Sequence, residues 1–440
     1  MHGVPALNNI IGSNRTKGVK LCLSGDAPTL GQFRNSATLT TTLLTFVLVS
    51  NLVPLMTVPT VLPDIQLNWR LRASQIGWVG GIYFAGYAVA APILAGAADR
   101  VDGRWILAGS SVLGSAASFA FGAYADGFWL AVVLRFISGI AVAGIHMPGL
   151  KMLTDRVHGP AQVRATAIYT SSYALGNAGS ALIAGVISSM FDWRAPFFAG
   201  GVGALLAIPA LGLLPTGPEP GPVEPIRGGL RALLRNHKLM AYVVGFAGNT
   251  WEVFAIRVWF VACLSWTVGL PGNHIALPSL GVVAGLAALV GVPVSIGVAE
   301  LAVRWDRTPV IMVTCLASVL VCLALAVTAG GSIFLVLPLL VLLQITSFAD
   351  VGALSAGAIA STTPLQRGSA LGLYAMVGFS SGFLGPTVTG FVLGYFGGVA
   401  SASGWAGAFA IMGLGSAVAG LAVWFARSTE SSEAKGIPIP

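Results

Sequence analysis

Twelve apolar stretches of about 20 residues or more run the length of this chain, and a stretch of that length spans a bilayer as a helix. They lie near residues 39–62, 75–98, 105–124, 128–152, 163–190, 196–214, 239–265, 277–300, 308–329, 333–360, 368–396 and 404–426. The class they predict is an all-α membrane protein of twelve transmembrane helices, arranged as two pseudo-symmetric six-helix bundles. Composition agrees: 55% of the 440 residues are hydrophobic and 9% are charged, against roughly 25% charged residues in soluble proteins. Pro54 and Pro59 fall inside the first stretch, which a bundle tolerates because neighbouring helices can satisfy the freed backbone groups.

The charges report topology. Arg70, Arg72 and Arg194 fall on one side of the predicted spans and Arg135 and Arg257 within them; the rest of the 23 lysines and arginines fall on the other side. By the positive-inside rule that side is the cytoplasm, so both termini are expected there, in a cell membrane of the bacterial inner-membrane type. The net charge of +8 is therefore a topology signal, and no nucleic-acid partner is expected. Residues 1–38 read as a polar cytoplasmic tail without the basic-then-apolar order of a cleaved signal peptide; residues 427–440 read as a second tail. A proline-rich run from Pro215 to Pro225 opens a cytoplasmic linker over 215–238. In that linker Leu230, Leu233 and Leu234 with Arg231, Arg235 and Lys238 predict a short basic amphipathic turn. The linker divides a bundle over 39–214 from one over 239–426. Cys22, Cys263, Cys315 and Cys322 form no C-x-x-C pair, so no zinc or disulfide framework is indicated, and Cys315 and Cys322 are assigned to packing.

A repeat supports the division. Pro92, Gly96 and Asp99 recur 201 residues later as Pro293, Gly297 and Glu300, and Gly80 recurs as Gly281. Basic residues follow each copy, Arg100 and Arg104 in the first, Arg304 and Arg307 in the second. A signature repeated half a chain apart, at the wet ends of apolar helices, predicts parallel repeats that move against each other.

Four short motifs carry a family resemblance. Leu94-Ala-Gly-Ala-Ala-Asp-Arg-Val-Asp-Gly-Arg-Trp105 resembles the signature between helices 2 and 3 of the major facilitator superfamily, with Ala95 in place of the usual first glycine and Asp102-Gly103 where Gly-Arg is usual. Arg135-Phe-Ile-Ser-Gly139 resembles the R-x-x-x-G motif of helix 4. Gly382, Gly385, Pro386 and Gly390 resemble a G-x-x-G-P-x-x-x-G element of helix 11. Asp192-Trp-Arg-Ala-Pro-Phe197 resembles the W-R-x-x-F loop before helix 6. In register with twelve spans and a central linker, they identify the chain as a member of that superfamily. The resemblance implies a secondary transporter working by alternating access, with helices 1, 4, 7 and 10 around the central cavity. It assigns Gly139, Gly382, Gly385, Pro386 and Gly390 to helix packing. It also implies a conformational latch, Asp99 lying over the start of helix 11 near Gln366-Arg-Gly-Ser369, where the helix dipole favours a carboxylate. By the repeat, Glu300 faces the start of helix 5 near Gln162-Val-Arg164. Arg100, Arg104, Arg304 and Arg307 complete a set that forms in one conformation and breaks in the other. Two plainer readings stay open: solvated loop charges, and for Glu300 a local pair with Arg304 four residues on.

Charges within spans need partners, since each costs a few kcal/mol alone. Arg135, Glu252, Arg257 and Asp350 fall on the helices that the resemblance places around the cavity, two positive and two negative. Either they pair internally and fix packing, or they handle solute and protons. His146 lies eleven residues after Arg135, about 20° away around the helix, which suits a proton relay or a packing residue. Asn249, Glu252, Ile256 and Trp259 form a stripe at helical spacing, with Arg257 about 140° from Glu252. Gln344 joins the candidate pathway, and Asn51, Tyr83, Tyr87, Tyr173, Asn177 and Tyr374 serve either the pathway or the scaffold.

The chain has no G-x-x-x-x-G-K-[ST] loop, so direct drive by ATP is excluded. Histidines 2, 146, 158, 237 and 274 are scattered; no metal or other cofactor and no catalytic set is indicated, and the chain is not read as an enzyme. The expected function is secondary active transport of a small solute, proton-coupled through Glu252 or Asp350, with the two arginines favouring an anion. Proton-coupled efflux of hydrophobic or cationic compounds, with the same acids as counter-charges, is the alternative. A non-transporting membrane sensor or assembly protein of the same fold is the alternative from another class. The expected partners are a small-molecule solute, protons and the lipid bilayer, with the chain acting as a monomer.

Overall fold

The computed structural model describes residues 30–214, 229–363 and 366–434. Most of the predicted N-terminal tail, the proline-rich part of the linker and the last six residues lie outside the described residues. Every regular element among those described is helical. The first apolar stretch holds α1 (Leu30–Leu52), α2 (Thr57–Thr60) and α3 (Leu62–Trp69). There follow α4 (Ala73–Ala97), α5 (Gly103–Tyr124), α6 (Phe128–Arg156), α7 (Pro160–Met190) and α8 (Ala195–Gly212). After the linker come α9 (Gly229–Leu234), α10 (His237–Val268), α11 (Leu280–Trp305) and α12 (Arg307–Thr328). The last four are α13 (Ile333–Ala349), α14 (Val351–Ala360), α15 (Arg367–Tyr395) and α16 (Ala402–Ala434).

Among the described residues ten helical spans, α13 and α14 counted together, are long and apolar enough to cross a membrane. Their outward faces carry large apolar side chains such as Ile93, Val303, Val327 and Phe334, all exposed. Water would penalise such a surface; lipid does not. Trp105, Trp129 and Trp305 stand exposed at helix ends, the level of the headgroups. The protein is an all-α, multi-pass membrane protein. The first and fifth predicted spans are not among the ten for physical reasons. Prolines break the first, leaving Ala37–Leu52 as its apolar helix, and serines, threonines and glycines dilute the hydropathy of α7. Several helices also outrun their apolar stretches: α6 continues to Arg156 and α16 to Ala434, because backbone bonding persists into water where burial in lipid has ended.

The break after α1 shows how a bundle tolerates proline. Pro54 supplies no N–H, and the backbone groups beside it are met from α7. The Met56 N–H donates to Ser180 Oγ at 2.8 Å, and Ser180 Oγ donates to Val53 O at 2.7 Å. Elsewhere small residues let backbones meet. A Cβ on Gly139 of α6 would collide with the Tyr83 carbonyl of α4, and one on Gly86 with the Phe136 carbonyl of α6.

The helices before the linker, α1–α8, form one packed group and α10–α16 another, and the two meet along α4 with α15 and α7 with α11. One end of the molecule carries Arg100, Arg104, Lys151, Arg156, Arg304 and Arg307, and will be called the basic end. At the opposite end the groups touch backbone to backbone. A Cβ on Gly77 would lie 3.1 Å from the Thr387 Cα, and one on Gly281 would lie 2.9 Å from the Gly185 Cα. Both repeat glycines take part, since Gly80 abuts Val258 of α10. At the basic end the corresponding helix faces are open: Cβ atoms on Gly96, Gly297, Gly368 and Gly372 would meet nothing within 4 Å.

Candidate functional site

Arg135 projects from α6 into the first helix group and is 2% exposed. Its Nε donates to Val79 O and its Nη1 to Leu55 O, each at 3.4 Å, and its guanidinium carbon lies 4.6 Å from the centre of the Tyr83 ring. Leu55 belongs to the proline break, so Arg135 supplies a donor where the helix ladder is interrupted. A ring face and carbonyl dipoles stand in for an anion. Three turns along the same helix, His146 Nδ1 lies 2.9 Å from Tyr87 Oη, and its ring stacks on Tyr173 with 4.5 Å between centroids. Arg135 and His146 thus share a face toward α4, as their spacing predicts, and meet Tyr83 and Tyr87 one turn apart.

Glu252 and Asp350 lie inside the second group. Glu252 of α10 is fully buried; its Oε1 accepts from Ser318 Oγ at 2.9 Å and Cys322 Sγ at 3.1 Å, and its Oε2 from Ser416 Oγ. Asp350, at the junction of α13 and α14, accepts from Asn249 Nδ2 at 2.6 Å and from Cys315 Sγ at 3.4 Å. Every partner of either carboxyl is a hydroxyl, thiol or amide. Cys315 and Cys322, assigned from sequence to packing, in fact serve the two acids. The signal for this was present: Cys315, Ser318 and Cys322 recur at i, i+3 and i+7 on an otherwise apolar helix, a small polar stripe facing α10.

Arg257 is the charge set between the groups. It lines a crevice with Asn177 of α7, Thr60 of α2, Gln344 of α13 and Ala284 of α11. The crevice leaves about 10 Å³ for the centre of a water molecule, which is room for one water. The Phe254 and Phe348 rings flank the guanidinium at 5.7 and 5.1 Å. Among the described residues Arg257 has no ion pair, and its Nε is buried without an acceptor. Of the two readings of the four buried charges, internal pairing does not occur among the described residues: Arg135, Glu252, Arg257 and Asp350 each find neutral partners or none. Of the remaining candidates, Asn249 reaches Asp350 and Gln344 reaches the Arg257 crevice. Trp259 instead packs between α15 and α16, donating from Nε1 to Pro386 O at 3.1 Å. Gly385 and Gly390 face the Trp251 and Ala73 backbones, and Gly382 faces the Phe254 ring.

At the basic end, Asp99 pairs with Lys151 Nζ at 3.5 Å, within its own group, and Glu300 pairs with Arg304 at 3.0 Å. Arg100 is exposed, and Arg307 Nε is buried without a partner. Arg104 bonds Asp102 at 2.7 Å, with Arg156 4.0 Å away on its other side. Burial works to raise the Asp102 pKa, but hydrogen bonds from the Arg104 side chain and backbone and the charges of Arg104 and Arg156 outweigh it, holding the carboxyl below its usual range. In the W-R-x-x-F loop, Arg194 Nη1 donates to Gly122 O at 2.9 Å and Trp193 packs edge-on against Trp69.

Long apolar spans, a doubled signature and two packed helix groups define a multi-pass membrane protein with a repeated signature. It belongs to the Major Facilitator Superfamily, whose sequence profile matches residues 40–386; members of that family move solutes and are not enzymes. The chain is 26% identical over 138 residues to the niacin transporter NiaP of Acinetobacter baylyi, covering 31% of each chain. It is 26% identical over 226 residues to human protein spinster homolog 1, covering 47% of this chain and 42% of that one. The chain thus spans less than half the length of these two relatives. In fold it is similar to a bacterial homolog of the human lysosomal transporter Spinster, solved in an inward-facing and occupied conformation. The TM-score is 0.75 at 17% identity, over 90% of this chain and 97% of that one.

Proposed function

We propose that the chain is a twelve-span secondary transporter that carries a small anionic solute by alternating access, coupled to protons. The ten apolar spans are joined by α1–α3 as the first and α7 as the fifth. They form two six-span halves, 39–214 and 239–426, linked through 215–238, with tails over 1–38 and 427–440. The basic end faces the cytoplasm of a bacterial inner membrane, and the protein acts as a monomer. One observation carries this reading: unpaired Arg257 lies between two groups that meet backbone to backbone at the end away from the basic residues and leave open space beside Gly96, Gly297, Gly368 and Gly372 at the basic end. That is the arrangement of an inward-facing state. In it Asp99 and Glu300 keep to their own halves; their contacts with the starts of α15 and α7 belong to the outward-facing state.

Arg257 is the solute's counter-charge, and Asp350 or Glu252 holds the coupled proton. Both acids sit among hydroxyl, thiol and amide groups, with no cation among the described residues to hold them ionised, which suits a site that gains and loses protons. The partial likeness to a relative named for niacin transport, whose solute is a carboxylate, agrees with an anion. Efflux of hydrophobic cations is less well supported, because the acids face α12 and α16 and the charge in the crevice is positive. The test is uptake by proteoliposomes of small anions, sugars and lipophilic cations, with and without an imposed pH gradient. Gradient-dependent uptake of an anion is expected. Uptake of cations alone would shift the reading to the efflux alternative, and no flux of any solute would leave a non-transporting sensor.

A further inference from the structure

Three buried donors in one neighbourhood have no acceptor: Arg257 Nε on α10, and Asn177 Nδ2 and Tyr173 Oη on α7. Tyr173 and Asn177 are four residues apart, hence on one helix face. Asn177, only 2% exposed, lines the crevice with Arg257, and the Tyr173 phenol lies within electrostatic reach of the same guanidinium. An unpaired buried donor is costly, and an unpaired buried guanidinium more so. Three together, on helices from opposite halves, describe a site for an acceptor-rich anion.

The chemistry of the ligand follows from the donor set. One guanidinium neutralises one negative charge, which suits a carboxylate better than a phosphate dianion. Arg257 can grip both carboxylate oxygens through its planar fork, leaving lone pairs for the Asn177 amide and the Tyr173 hydroxyl. The crevice walls are apolar, with Met56, Val261 and Ala284 among them, and the Phe254 and Phe348 rings flank the guanidinium. We infer that Arg257, Asn177 and Tyr173 form the carboxylate-recognition subsite for a monocarboxylate with an apolar body, with Asn177 and Tyr173 as specificity-determining residues. Because its donors come from α7 and α10, the bound carboxylate ties the two halves together beneath their closed end. This rests on the reading of Arg257 as solute-facing and deepens it by naming the solute class.

The experiment is equilibrium binding to purified full-length protein, read by intrinsic tryptophan fluorescence and thermal shift. The probes are benzoate and nicotinate set against their uncharged amides. The acids are expected to bind at least about tenfold more tightly than the amides. Asn177→Ala and Tyr173→Phe are each expected to weaken the acids about five- to tenfold and the amides, which offer a single uncharged acceptor oxygen, by less. Arg257→Gln is expected to abolish the difference between acid and amide. Tyr173→Phe keeps the ring stacked on His146, so its effect is readable even if Arg257→Gln does not fold. Equal binding of acids and amides, no binding of either acid by folded protein, or acid affinities untouched by Asn177→Ala and Tyr173→Phe would overturn the inference. Acid-selective binding without vesicle flux would keep the subsite and remove the transport reading, so the two failures are distinguishable.

Discussion

Among the described residues, the helices before the linker bury Arg135 with no acid beside it, and those after it bury Glu252 and Asp350 with no base beside either. Arg135 rests on a tyrosine ring and two carbonyls, one of them freed by a proline break. Glu252 and Asp350 rest on hydroxyl, thiol and amide donors. The contrast separates two ways of keeping charge in a low-dielectric interior. A guanidinium held by a carbonyl freed at a proline break is committed to the scaffold, because Leu55 O, with Pro59 four residues on, needs a donor from outside its own helix in every state. A carboxyl held by small rotatable donors is not committed, because hydroxyls and thiols can donate to the ionised form or accept from the protonated one.

Substitutions on either side can break that contrast. The largest effect is expected at Glu252→Gln, which keeps shape and removes the titrating group. Proton-driven accumulation in proteoliposomes should fall roughly 100-fold while the protein still melts cooperatively; unchanged accumulation would move the coupling role to Asp350. Next comes Arg135→Lys, whose point charge cannot bridge two carbonyls while lying flat on Tyr83. A stability loss of about 1–2 kcal/mol is expected from denaturation in detergent, with uptake within about threefold of wild type. A selective loss of uptake with full stability would instead place Arg135 on the transport pathway. The smallest effect is expected at Asp102→Asn, about 0.5–1 kcal/mol at pH 7 after allowing for solvent screening. The Asp102 pKa is lowered on folding, so its contribution is complete above the usual carboxylate value of 3.8 and is lost as pH falls through the lowered value. Thermal melts at pH 7 and in acid should therefore show the mutational difference shrinking as pH falls. Asp306, the corresponding cap of α12, accepts from the Thr308 N–H at 3.4 Å and has an exposed pair with Arg427 at 3.6 Å; Asp306→Asn keeps a capping oxygen and should leave the melting curve in place.

Much of the architecture is legible in the chain. The apolar stretch predicted over 105–124 is α5, Gly103–Tyr124, because burial in lipid and helix length impose the same limit. The glycine repeat is legible too: Gly80 and Gly281 both meet the opposite helix group, since a missing side chain leaves room for Val258 at one and for the Gly185 backbone at the other. The site is legible in part. Spacing places Arg135 and His146 on one face and turns Glu252 away from Arg257. It does not say that Ser180, 124 residues from Met56, bridges the break beside Pro54. It puts Cys315, Ser318 and Cys322 on one stripe of α12 but does not say which buried acids that stripe meets.

The sequence by itself determined that this chain lives in a membrane, which family it belongs to, and which charges lie within its spans. Those properties depend on hydropathy, length and charge position, all of which are local. Only the tertiary structure decided what satisfies each buried charge. Helical periodicity specifies the direction in which a side chain points, and the identity of its partner depends on which helix packs there. For Glu252 that partner is Ser318, 66 residues away. For Arg257 the described protein offers no anion, and the two halves instead hold it in a crevice beside Asn177.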